Sequence, residues 1–193
     1  MSEPLADRAG LDESSTSKSE VVFIGKIWNL ISRTFNFQGQ VLTREYIKHP
    51  GAVAVIAINQ QDELLLINQY RAPVNEFLFE VPAGLLDVEG EDKLSAAKRE
   101  LEEETDYIAQ DWELLQEFYT TPGSSSEAIT IYLATNIVKS TEVFERTGEE
   151  KHLEVSWVPF AEVLESVVHS RFQSPTLVVG VLALAQRRKN GKN

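Results

Sequence analysis

The 193 residues contain no cysteine, which excludes disulfides and thiolate metal sites. Basic residues are scarce: 18 lysines and arginines face 30 aspartates and glutamates, for a net charge of −12. That balance argues against general binding to nucleic acid or to anionic membranes. No apolar run reaches the roughly 18 residues of a membrane span, and the first residues lack a signal peptide's apolar stretch. A cytoplasmic location is therefore expected. The three histidines, His49, His152 and His169, show no metal-ligand spacing and receive no role. There is no internal repeat. What remains is 42% hydrophobic and 25% charged, the composition of a globular chain long enough for one domain with a sizeable core.

Residues 1–19 are polar and lack a periodic apolar pattern, so a disordered arm is expected there. Residues 188–193 read as a short basic tail. Between them, "VVFIGKIWNLISRTFNF" and "GQVLTREYIKHP" read as strands flanking a turn at Gln38–Gly39–Gln40. They place an antiparallel strand region over residues 20–47, ahead of a main domain over 48–187. "GAVAVIAIN" and "ELLLINQYR" are continuous apolar runs of the kind buried on both faces of a sheet. "FLFEVPAG" follows, then a helix from about Asp92 to Glu104, then strands around "WELLQEFYT", "AITIYLAT" and "LEVSWVPF". Two helices close the chain, the last with Ser174 as N-cap and Pro175 at its first position. The order implies an α/β domain whose mixed sheet is covered by helices on both sides.

One stretch is costly by itself. In "KRELEEETDY", Glu100 shares a helix face with Glu103 and Glu104. Like charges at those spacings destabilise a helix by about 0.2–0.5 kcal/mol per pair, and here they stand near its negative end. The three carboxylates fall within roughly 100° of arc while Glu102 points away. Leu94, Ala97, Leu101 and Ile108 form the neighbouring apolar stripe. Two readings follow: a solvated acidic face, or a cluster of hard oxygen ligands suited to Mg²⁺ or Mn²⁺.

The longer stretch "GLLDVEGEDKLSAAKRELEEETDY" decides between them, because it resembles the Nudix box. Gly84 opens a loop, Glu91 is the first acid, and after seven intervening residues come Arg99, Glu100, Leu101, Glu103, Glu104 and Tyr107. Two departures stand out. The loop from Gly84 to Glu91 is one residue longer than the pattern, and Asp106 occupies a glycine position. Lengthening a loop by one residue is cheap, and Asp tolerates the left-handed conformation common after a helix end. "INQYRAPV", "FEVPAGLLD" and "TTPGSSSEAITIYLAT" are similar to the ADP-ribose pyrophosphatase branch, as is Pro122, 15 residues beyond Tyr107.

The resemblance implies a Nudix-type α/β/α sandwich and divalent-metal-dependent hydrolysis of ADP-ribose to AMP and ribose 5-phosphate. It implies metal ligation by Glu100, Glu103 and Glu104 with the carbonyl of Ala83. Arg99 would orient a box carboxylate, and Glu91 would either support the metal or cap the helix. The base that activates water would be Glu149 or Glu150, unless "TGEEKH" is only a solvated loop. Glu127 matches a branch glutamate whose role is structural or catalytic. Arg71 would clamp the diphosphate, or pair with Glu80. The branch also implies a homodimer with exchanged N-terminal strands, in which Trp28 stacks on adenine or packs at the interface, and Arg44 or Glu45 binds ribose or phosphate. The box handles only the diphosphate, so another nucleoside diphosphate-sugar such as GDP-mannose stays open. A non-catalytic nucleotide sensor is the alternative from another class; Asp106 and the longer loop favour it.

Overall fold

The computed structural model describes residues 5–10, 18–142, 144, 146 and 151–191. The N-terminal strands form their own antiparallel sheet: β1 (Lys18–Ile24), β2 (Asn29–Phe37) and β3 (Gln40–Lys48), in that order. The stretch expected to be one strand up to Phe37 is thus two. Gly25 N donates to Trp28 O at 3.1 Å, closing a turn between them. A Cβ on Gly25 would stand 2.4 Å from that oxygen, so only glycine permits the turn. β1 also begins two residues inside the expected polar arm. The β2–β3 turn lies where the sequence places it, with Gln38 and Gly39 at φ 51° and 83°, as a tight hairpin requires.

The main domain builds on β4 (Ala52–Ala57), β5 (Glu63–Arg71), β6 (Glu76–Glu80), β7 (Ala83–Leu85), β8 (Tyr107–Tyr119), β9 (Ala128–Lys139) and β10 (Glu154–Pro159). One sheet runs β7-β4-β9-β8 and is mixed, because β4 and β9 are parallel and the other pairs antiparallel. A second runs β10-β5-β6 and is antiparallel. The helices are α1 (Lys93–Thr105), α2 (Phe160–Val168) and α3 (Pro175–Lys189).

β4 is buried at every position, and its alternation explains why. Val53, Val55 and Ala57 pack with Ala96, Ala97 and Leu101 of α1. Ala52, Ala54 and Ile56 face α2 and α3 through Val163, Leu177 and Val181. A strand with helices on both faces has no polar side. Gly180 lets α3 close on the sheet, since a Cβ there would come within 2.6 Å of Ile56 Cδ1.

Three expectations change. The buried stripe of α1 is Ala96, Ala97 and Leu101; Ile108 belongs to β8 and is exposed, because the helix ends before it. Ser174 is the N-cap residue by position, but its hydroxyl partners Thr176 Oγ1 at 3.0 Å rather than a helix N–H. The basic tail is partly helix: α3 runs through Lys189, and Arg188 bonds Asp62 at 2.7 Å with its guanidinium over the Phe160 ring. Among the described residues, no helix is long and apolar enough to cross a membrane.

Candidate active site on the acidic helix

α1 starts from Asp92, whose Oδ1 accepts from Leu94 N at 2.9 Å and from Ser95 N at 3.1 Å. Its Oδ2 accepts from the Ser95 hydroxyl at 2.6 Å. Those bonds hold the Asp92 carboxyl below the usual carboxylate range, the Ser95 hydroxyl first among them. Asp92 is therefore the cap, and Glu91 is free to do something else.

Glu91 receives a fork from Arg99: Nε donates to one oxygen at 3.1 Å and Nη2 to the other at 3.0 Å. Arg99 Nη1 donates to Glu100 at 2.6 Å and to Glu103 at 3.1 Å. One cation thus offsets three of the crowded charges. The Arg99 hydrogen bonds keep Glu91 below the ordinary carboxylate range, and the three glutamates push the guanidinium's own pKa further up. Arg99 thus contacts three box carboxylates, with Glu91 its only two-oxygen partner.

Glu100 and Glu104 press against β7. A Cβ on Gly84 would lie 1.8 Å from Glu100 Cδ, so the box glycine leaves the hollow that this carboxylate fills. Glu104 is buried, and its Oε2 accepts from Ala83 N at 2.9 Å. Glu102 does point away, taking a hydrogen bond from the Ser140 hydroxyl at 2.6 Å. Asp106 closes the helix at φ 58°, ψ 29°, its N–H bonded to Glu102 O. The departure from glycine therefore leaves the helix end in the left-handed form that the box requires.

Among the described residues, no three acidic or histidine side chains stand in a ready metal-holding arrangement. Arg99 occupies the facing oxygens of Glu100 and Glu103 instead. The donor set nevertheless suits a hard divalent cation: Glu100, Glu103 and Glu104 offer oxygen alone, beside the backbone of Ala83 and a hollow that glycine keeps open.

Arg71 forks onto the buried Glu80, Nε to Oε1 at 2.7 Å and Nη2 to Oε2 at 2.8 Å. The pairing alternative for Arg71 is thus realised, on a side chain still 44% exposed. Arg44 and Glu45 of β3 line a cleft of about 530 Å³ together with Arg33, Phe35, Tyr119 and Pro122. Trp28 sits outside that cleft, at the β1–β2 turn, and is 41% exposed. Glu149 and Glu150 lie outside the described residues. Glu127 accepts from the Thr120 hydroxyl at 2.5 Å and stands 3.5 Å from His49 Nε2, a bracing position for the Pro122 loop.

Sequence reasoning missed Arg33, Phe35 and Tyr119. Arg33 and Phe35 share one face of β2 by their period of two, with the guanidinium 5.7 Å from the ring centre. That spacing was readable. Tyr119 could have been found only as the aromatic preceding the Pro-Gly loop.

Comparison with known proteins agrees with this fold. Residues 48–176 match the NUDIX domain. The chain is 35% identical over 170 residues to an ADP-ribose pyrophosphatase of Mycobacterium tuberculosis, covering 88% of this chain and 82% of that one. It is 36% identical over 172 residues to a methanol dehydrogenase activator of Bacillus methanolicus, covering 89% and 92%. The crystal structure of an ADP compounds hydrolase superposes with a TM-score of 0.75 at 21% identity, over 96% of this chain and all of that one, which establishes the shared fold. With a domain match that spans its main sheet, α1 and α2, this chain belongs to the Nudix family.

Proposed function

We propose that this protein hydrolyses the diphosphate of ADP-ribose, releasing AMP and ribose 5-phosphate. The observation that carries the reading is the pair of carboxylates, Glu100 and Glu104, seated against Gly84 and Ala83. Similarity to an ADP-ribose pyrophosphatase over most of both chains supports the substrate.

Glu100, Glu103, Glu104 and the carbonyl of Ala83 are the residues that would hold Mg²⁺ or Mn²⁺. When bound, such a cation offsets the charge that develops on the diphosphate oxygens during attack. Arg99 holds Glu91, Glu100 and Glu103 in place, so their orientation is set before substrate arrives. Glu149 or Glu150 takes the proton from the attacking water. Arg71, oriented by Glu80, presents its exposed side to the phosphates. Arg44, Glu45 and the ring of Phe35 receive nucleoside and ribose in the cleft beside Pro122.

The active unit in this reading is a homodimer. Val21, Val22, Phe23 and Ile24 of β1 are all more than half exposed, an apolar edge segment that a second copy would cover. Trp28, on the adjoining turn, then meets the partner's cleft.

The test is AMP release from ADP-ribose with Mg²⁺, for wild type and Glu104→Gln. A fall of about a thousandfold in the variant is expected, the scale of losing one charge-stabilising element. Faster turnover of GDP-mannose would redirect the substrate. Binding of ADP-ribose without release would favour the sensor.

A further inference from the structure

The cleft beside Pro122 is built from two parts of the chain. β3 supplies Arg44 and Glu45, and the loop 121–126 supplies a wall of Pro122, Gly123, Ser125 and Ser126. Backbone bonds join the two at Ile47, whose N–H donates to Ser124 O and whose carbonyl accepts from Ser126 N, each at 2.9 Å. His49, Thr120 and Glu127 stand behind the wall and do not line the cleft themselves.

His49, which spacing alone left without a role, links that wall to the strand beneath the acidic helix. Its Nδ1 accepts from Gly51 N–H at 3.1 Å, so the hydrogen of the neutral ring sits on Nε2. Nε2 faces Glu127 Oε1 at 3.5 Å, and Glu127 Oε2 accepts from the Thr120 hydroxyl at 2.5 Å. Both residues also hold serines of the wall through their backbone. His49 N donates to Ser126 Oγ at 3.0 Å, and Glu127 N to Ser125 Oγ at 3.1 Å. The His49 side chain is 11% exposed, so water does not freely replace a lost partner there.

On the other side, Gly51 is held at φ 96° and its carbonyl accepts from Leu86 N at 3.1 Å. Leu86 follows β7, whose Ala83 and Gly84 seat Glu104 and Glu100. One imidazole thus stands between the cleft wall and the strand that seats the box carboxylates.

We propose that His49 and Glu127 are a positioning pair, which sets the loop 121–126 against β3 and so governs affinity for ADP-ribose rather than the hydrolytic step. A displaced wall weakens the contacts that nucleoside and ribose make with it, while Glu100, Glu103 and Glu104 keep their places on α1. The loss therefore falls on KM and spares kcat. This inference rests on the hydrolase reading and on the cleft as its nucleoside site.

His49→Leu removes both ring nitrogens, and Glu127→Ala removes the carboxylate. Each is expected to raise KM for ADP-ribose about tenfold, the scale of one lost buried hydrogen bond, with kcat within about twofold of wild type. The double variant is expected to be no worse than either single one, because the partners act as a unit. His49→Asn keeps an acceptor for Gly51 N–H and should restore part of the affinity. If a truncation does not fold, Thr120→Val, which removes the hydroxyl beside Glu127, is expected to raise KM about threefold. Amide hydrogen exchange over 124–126 should quicken in His49→Leu, a readout independent of turnover. A lower melting temperature with unchanged KM, unchanged exchange, or additive losses in the double variant would each overturn the pair. A kcat loss of about a hundredfold in Glu127→Gln, which keeps an acceptor oxygen, would make Glu127 a catalytic group and overturn it too. A wild type inactive on ADP-ribose would overturn the hydrolase reading and the affinity role with it; quickened exchange would then still support the anchor.

Discussion

Arg99 grips both oxygens of Glu91 at 3.1 and 3.0 Å, across a helix start that separates them by eight positions. Its third nitrogen holds Glu100 and Glu103. Only a planar guanidinium can serve all three carboxylates at once. Arg99→Lys keeps the charge but loses the fork. The expected result is a 10- to 100-fold fall in kcat/KM, the usual scale when a partner that orients metal ligands is removed. Steady-state kinetics with ADP-ribose check it; activity within about twofold of wild type would show that charge alone suffices.

Why this much was legible follows from what each residue must do. The crowded glutamates cost helix stability unless something offsets them, so the box announced itself as an anomaly before any spacing was counted. β4 was legible because burial on both faces leaves no alternation to misread. Ends and partners were harder. Nothing in the sequence separates Glu91 from Asp92 as the cap, since both are acids at the helix start; only the bonds from Leu94 and Ser95 decide. The Gly25 turn was hidden in an apolar run, and Ile108 looked helical because the stripe's period continues past the helix end. The ion pair of Arg146 with Asp106 was invisible because the two lie 40 positions apart in sequence.

Gly84 is a steric requirement with a direct test. In Gly84→Ala the new methyl carbon would lie 1.8 Å from Glu100 Cδ, so the carboxylate must leave its hollow. Activity should fall at least about tenfold through this displaced ligand. The melting temperature should fall less than in a core truncation, because Glu100 can swing toward solvent. Full activity in the alanine variant would show that Glu100 is not needed where it stands.

The Asp92 cap predicts an acid-sensitive helix start. Its folded pKa is depressed, so its contribution is present above the ordinary aspartate range and is lost as pH falls through the lowered folded value. Asp92→Ala should lower the melting temperature at neutral pH. Asp92→Asn, which caps about as well, should stay close to wild type there and lose less on acidification. Melting curves from neutral pH downward check both variants; identical acid sensitivity in wild type and Asp92→Asn would remove this carboxyl from the account.

The exposed apolar residues of β1 predict the oligomeric state. Phe23 is 57% and Ile24 76% exposed in the single chain, and each fully covered side chain of this size contributes roughly 1.5–3 kcal/mol. A glutamate at Ile24 would place a charge in the covered interface while leaving the main core, built on β4, untouched. Light scattering on wild type and Ile24→Glu is therefore expected to change from two copies to one. The monomer should keep its α1 site but bind ADP-ribose more weakly, because Trp28 no longer meets a neighbour's cleft. A variant that remains dimeric, or a wild type already monomeric at micromolar concentration, would show that β1 is covered by something other than a second copy.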